Sequence, residues 1–155
     1  MKNKQYQQII SQLPALLESN NYEITILSNA SALLNLYMTD INWVGFYLNL
    51  DNKLQLGPFQ GKPACTTIPF TKGVCGYCAS TQQTIVVENV HNFPGHIACD
   101  SASNSEICVP IFIDKKFYGL LDIDSPIFNR FDDVDKLHLE TIVKVIENSL
   151  NNLKN

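Results

Sequence analysis

The 155-residue chain is 45% hydrophobic and 17% charged, which is enough apolar matter to close one ordinary domain without disulfide staples. Its formal charge is -4 and it has no Lys/Arg-rich run, which argues against a nucleic-acid or anionic-membrane partner. No apolar stretch reaches the length of a membrane span, and MKNKQYQQII is a poor secretory signal.

Helical spacing opens the chain. Ile9, Ile10, Leu13, Leu16 and Leu17 recur on one face. After a break at Ser19-Asn20-Asn21, so do Ile24, Ile26, Leu27, Ala30, Leu33, Leu34 and Tyr37. Pro14 predicts a restart or kink in the first helix. INWVGFYLNL is rich in β-branched and aromatic residues and reads as a central strand. Asp51-Asn52 turns it into the partner strand KLQLGPF, and ACTTIPF is a third, short strand ended by Pro69.

GVCGYCAST predicts a turn and a short helix opened by Gly73, and TIVVENV predicts a strand. Residues 91–104 form a long polar connection in which Phe93, Pro94 and Ile97 act as anchors. Long irregular loops inside compact domains tend to be functional or disordered, and a pinned one suits a pocket lid. SEICVPIFI and FYGLLDIDS form a hairpin across Asp114-Lys115-Lys116. Asp132 or Asp133 caps a last helix whose apolar face is Leu139, Ile142, Val143, Ile146, Leu150 and Leu153. The sum is a single α+β domain over residues 1–155: a mostly antiparallel sheet with the N- and C-terminal helices packed on one face.

Five cysteines, an odd number, in a chain of this size and without a signal predict a cytosolic protein whose thiols are reduced at rest. Cys75 and Cys78 form a CxxC pair. A zinc site there needs two more ligands, yet no second CxxC exists and His91, His96 and His138 lack ligand spacing. A thioredoxin-like motif would need a parallel βαβ setting. Cys78 therefore reads as a packing residue, as does Cys108 between Ile107 and Val109. Cys65 is ambiguous, although Lys62 is near enough to favour its thiolate. Cys99 is the sharpest candidate, because it sits in a polar stretch where a core cysteine is out of place. His96 favours its ionisation and Asp100 opposes it, so its acidity stays open.

Asp122 and Asp124 are two apart on a strand and share a face. Counting back from the hairpin turn brings Glu106 to the same end of the sheet. Three acids near the loop of Cys99 can hold an ammonium group, or one can keep a proton at neutral pH and act as an acid. Trp43 and Tyr47, four apart, share a face and can pack the core or wall a pocket.

The segments TDINWVGFYL, LGPFQGKPAC, GVCG, FPGHIACDSASNSEI and GLLDIDSP, in this order, resemble the free methionine-(R)-sulfoxide reductase family, which has the GAF fold. The resemblance runs from about Ser31 to Asp135. It implies reduction of free L-methionine (R)-S-oxide by an oxidoreductase that needs no metal or organic cofactor. By motif, it makes Cys99 catalytic, Cys65 its resolving partner and Cys75 an auxiliary thiol that can exchange. It makes Glu106 and Asp124 substrate carboxylates, one or the other of which donates the proton, with Asp122 in support and Trp43 and Tyr47 as pocket aromatics. Cys99 would pass through a sulfenic acid to a disulfide recycled by thioredoxin or another dithiol, and the resemblance leans to a homodimer. The chain departs from the family pattern at Tyr77-Cys78, and at Cys108, where an aliphatic residue is usual and where silence is therefore expected. The alternative is a non-catalytic GAF module that senses a small ligand or redox state.

Overall fold

The computed structural model describes residues 1–18, 22–96 and 100–153. Its element order is α1 (Lys2–Leu17), α2 (Glu23–Tyr37), β1 (Trp43–Leu50), β2 (Lys53–Gly61), β3 (Thr67–Pro69), α3 (Gly73–Thr81), β4 (Ile85–Val87), β5 (Ser105–Ile113), β6 (Lys116–Ser125) and α4 (Asp133–Asn152). A 3-10 turn, Val90–Asn92, interrupts the long connection after β4. The six strands form one sheet in the order β3-β2-β1-β6-β5-β4, and each described pairing is antiparallel.

Turn chemistry sets the register. Asp51 and Asn52 both take positive φ, as do Asp114 and Lys115, so each hairpin closes through two residues whose left-handed backbone matches the strand twist. The second turn is thus Asp114-Lys115, one residue shorter than the sequence suggests, and Lys116 pairs with Ile113. A register shift between Ile111 and Phe112 absorbs the difference, and Glu106 still falls directly opposite Asp124.

Alternation divides the sheet into two faces. Val44, Phe46, Ile107, Val109, Ile111, Leu121 and Ile123 point one way and pack against α1, α2 and α4. Those helices bury the faces their spacing predicts, with two exceptions: Leu16 is 39% exposed and Ile24 66% exposed. α1 runs unbroken through Pro14, so no new helix starts there. Asp132 caps α4 by accepting from Val134 N and Asp135 N, and the Asp135 carboxylate in turn accepts from Asp132 N.

The opposite face carries Trp43, Tyr47, Leu120 and Cys108 and is covered by α3. The three long helices do share one face, as expected, but the short helix does not. Its Val74, Cys75, Cys78 and Ala79 close a second, smaller core. That second layer lies beside the candidate site.

Candidate active site

Every second residue at the Ser105 end of β5 and the Ser125 end of β6 points toward α3. The result is an acidic floor: Glu106 and Cys108 from β5, Asp122 and Asp124 from β6. Glu106 is 6% and Asp122 5% exposed. Burial is the main reason their protons are held. Glu106 lies well above the usual carboxylate range through burial and the charges of Asp122 and Asp124. Asp124 lies well above it too, through burial and the charge of Asp122. Burial raises Asp122 as well, although hydrogen bonds with Glu106, Cys108 and Cys75 offset part of the effect. Burial thus favours the protonated form at all three.

Above the floor stands an open pocket whose empty space, the solvent at its mouth included, is about 550 Å³. Trp43 and Tyr47 wall one side, Gly73, Val74 and Cys75 another, and Ala64, His96, Asp100 and Ser103 reach its rim. The two rings stack with centroids 5.9 Å apart, and Phe59 backs Trp43 at 5.1 Å. Their polar atoms tie down the neighbouring segment: Trp43 Nε1 donates to the Lys62 carbonyl at 3.1 Å, and Tyr47 Oη to the Cys65 carbonyl at 2.8 Å. Burial, and then the charge of Asp122, keep the Tyr47 hydroxyl protonated far into the alkaline range.

The long connection over the cavity is anchored at several points. Gly73, at φ +70°, donates its N–H to the Gly95 carbonyl at 3.0 Å, a conformation that suits glycine alone. Phe93 meets Tyr77 edge-on at 5.7 Å. Asn104 N donates to the Ser125 carbonyl at 2.7 Å. Pro94, by contrast, is exposed.

The cysteines fall into distinct settings. Cys65 is half-buried and disulfide-bonded. Cys75, Cys78 and Cys108 are free and buried. Cys99 and the expected anchor Ile97 lie outside the described residues. Cys75 Sγ donates to Glu106 Oε2 at 3.6 Å. A hydrogen bond with Cys108 favours its thiolate, but burial and the charges of Asp122 and Asp124 prevail and push this thiol up to about 12. Cys78 lies on the buried face of α3 and packs into the second core. Cys108 is buried, as its apolar flanks predict, but its surroundings are not apolar: Sγ lies 3.3 Å from Asp122 Oδ1 and 3.5 Å from Glu106 Oε2.

Asn42 is the residue that sequence reasoning passes over. It ends the run before β1 and looks like a strand boundary. Its Nδ2 donates to Asp100 Oδ2 at 3.0 Å and to Ser103 Oγ at 3.1 Å, while its backbone N–H donates to the Asp124 carbonyl at 2.9 Å. It thereby fastens residues 100–103 to the end of β6 that bears Asp124. The only available signal was a polar amide beside a buried tryptophan.

The GAF domain family matches residues 23–150. A curated Escherichia coli protein named free methionine-R-sulfoxide reductase is 46% identical over 96% of this chain and 90% of its own length. The chain belongs to the free methionine-R-sulfoxide reductase branch of the GAF family. A member of that branch from Saccharomyces cerevisiae is 51% identical over 79% of this chain and 73% of its own. The fRMsr of Staphylococcus aureus, solved in complex with substrate, is 58% identical with a TM-score of 0.90, covering 94% of this chain and 95% of that one. The α+β GAF architecture is therefore established both by topology and by kinship. Among the described residues no helix is long and apolar enough to cross a membrane.

Proposed function

We propose that this chain reduces free L-methionine (R)-S-oxide to L-methionine. One observation carries the reading: a cavity walled by Trp43 and Tyr47 ends on Glu106, Asp122 and Asp124. An apolar wall beside a clustered acidic floor suits a small zwitterion with an apolar thioether arm. The substrate's ammonium group pairs with the carboxylates, and a methionine embedded in a protein, which lacks that ammonium, is disfavoured.

A sulfoxide sulfur becomes electrophilic once its oxygen gains a proton. Glu106 or Asp124 is suited to donate it, because both hold protons where an exposed carboxylate would not. The Cys99 thiolate attacks the activated centre, methionine leaves, and the sulfoxide oxygen remains on Cys99 as a sulfenic acid. Cys65 then displaces that oxygen as water and a Cys65–Cys99 disulfide forms. Two thiol hydrogens have been spent and one S=O bond has become water. Support for this pairing is that Cys65 is disulfide-bonded while the three other described cysteines are free. Cys75, buried and firmly protonated, is a slow exchanger, which leaves Cys65 as the resolving thiol. Thioredoxin or another dithiol restores the reduced enzyme.

The test is steady-state turnover with each sulfoxide diastereomer, free and peptide-bound, with a dithiol as reductant. Turnover of the free R form alone is expected. Equal rates on peptide-bound substrate, or none on the free form, would remove the proposal.

A further inference from the structure

Cys75, Cys108, Glu106 and Asp122 converge: one ligand atom from each lies within 4.8 Å of all the others. The reduction above does not call on Cys108. Its thiol nevertheless closes this cluster, with Cys75 Sγ at 3.6 Å, Glu106 Oε2 at 3.5 Å and Asp122 Oδ1 at 3.3 Å. The distance from Cys75 Sγ to Glu106 Oε2 is 3.6 Å.

These separations can be compared with the edges of a coordination tetrahedron. A zinc ion with Zn–S of about 2.3 Å and Zn–O of about 2.0 Å needs S···S of about 3.8 Å and S···O of about 3.5 Å. The one sulfur–sulfur and three sulfur–oxygen edges given above agree to within about 0.2 Å. The donors are two thiols and two carboxylates, a set that favours zinc over the oxygen-seeking calcium and magnesium. Cys75, Glu106 and Asp122 line the cavity, so an ion has a way in.

We infer that Cys75, Cys108, Glu106 and Asp122 form a tetrahedral S2O2 site for a zinc ion at the floor of the cavity. On binding, the two S–H protons and any carboxyl protons pass to solvent, two Zn–S and two Zn–O bonds form, and nothing is oxidised or reduced. The site differs from the CxxC site weighed in the sequence, because Cys78 is not in it. It is assembled from one helix and two strands. It also has a consequence that rests on the reductase reading: zinc on Glu106 and Asp122 excludes the substrate's ammonium group, so the ion competes with the sulfoxide.

The full-length chain, reduced with a phosphine and freed of it, is titrated with Co2+ as a spectroscopic probe and with Zn2+ against a chromophoric chelator. One equivalent is expected, with a thiolate-to-Co2+ charge-transfer band and the visible spectrum of a tetrahedral ion. Cys108→Val is expected to weaken Zn2+ binding by about 100-fold or more, since loss of even a supporting contact costs about 10–100-fold. Asp122→Asn gives an independent reading should Cys108→Val fail to fold, and Cys78→Ala should bind as the parent does. No binding, or equal affinity in the parent, Cys108→Val and Asp122→Asn chains, overturns the site. So does binding that disappears with Cys99→Ser and persists in Cys108→Val, because the ion then sits on other thiols. In single-turnover reduction of the free sulfoxide, Zn2+ should compete with substrate, and the Cys108→Val chain should resist it relative to its own zinc-free rate. Binding without competition overturns the placement on Glu106 and Asp122. If the chain reduces no sulfoxide at all, the Co2+ spectrum still decides the site by itself.

Discussion

Tyr47 reaches from the middle of the sheet to the Cys65 backbone, its hydroxyl 2.8 Å from the Cys65 carbonyl oxygen. One side chain thus serves both as a wall of the cavity and as a tether for the segment carrying the proposed resolving thiol. The two roles can be separated by substitution. Tyr47→Phe keeps the ring and removes the tether, which should cost about 1 kcal/mol of stability. It should also slow disulfide formation more than substrate reduction. The Cys99 sulfenic acid would then live longer and be trapped more fully by a carbon nucleophile such as dimedone, with KM little changed. Tyr47→Ala removes the wall as well, and KM should rise.

Glu106 faces Asp124 across the β5–β6 ladder, and either can be the acid. Glu106→Gln keeps the shape and removes the transferable proton. A general acid contributes about 10²–10⁴-fold to rate. A loss of that size in kcat marks Glu106 as the donor. A rise in KM with kcat intact marks it as a substrate ligand and leaves the proton to Asp124.

The same substitution should stabilise the fold. Glu106 holds its proton far more tightly in the native state than at its ordinary value of 4.5, because of burial and its carboxylate neighbours. Between the unfolded and folded pKa values the native state binds more protons than the unfolded one. Stability therefore falls as pH rises through that window. Glutamine cannot ionise and escapes the penalty. With a chelator present, the midpoint of thermal unfolding of Glu106→Gln should exceed that of the parent at neutral pH, and the gap should shrink as pH is lowered toward 4.5. A gap that widens on acidification would show that the carboxyl ionises more easily in the fold than out of it.

Far from the cavity, Asp135 is buried and takes Tyr6 Oη at 2.6 Å, Lys2 Nζ at 2.6 Å and Arg130 Nη1 at 3.2 Å. Arg130 is only 9% exposed. Asp135→Ala leaves that guanidinium with its charge uncompensated, a loss of about 3–5 kcal/mol. Tyr6→Phe costs one hydrogen bond to a charged group, about 1.5–3 kcal/mol. Denaturant midpoints should fall in that order, with KM for the folded fraction unchanged.

How much of this was legible before folding depended on the range of the interaction. Glu106 and Asp124 could be matched because one hairpin fixes their register, and counting residues back from its turn suffices. The α4 cap and its apolar face follow from local spacing in the same way. Cys108 could not be read. Ile107 and Val109 flank it in sequence, yet in a strand those neighbours point to the other face. The residues that surround its sulfur come from α3 and β6, and nothing local announces that packing. Pro14 does not restart the helix, for a different reason: the cost of one lost helical hydrogen bond is outweighed by burying Tyr6, Ile9, Leu13 and Leu17 on a single continuous face.

Asn42 offers the sharpest separation of positioning from chemistry. Its amide holds Asp100 and Ser103, the two described residues that frame the rim just beyond Cys99 in sequence. Both donors of that amide are used, while its Oδ1 is buried without a partner among the described residues. The side chain thus pays a desolvation cost that its two bonds must offset, a sign that its place is dictated by the loop. Asn42→Ala removes the clasp without touching the carboxylates or the rings. Residues 91–104 should then open more often, and limited proteolysis should cut there faster than in the parent. Under the proposed mechanism the rate should fall, and saturating substrate should restore part of it, since a bound ligand favours the closed loop. Proteolysis and kinetics both unchanged would mean that Gly73, Phe93 and Asn104 hold the loop without Asn42.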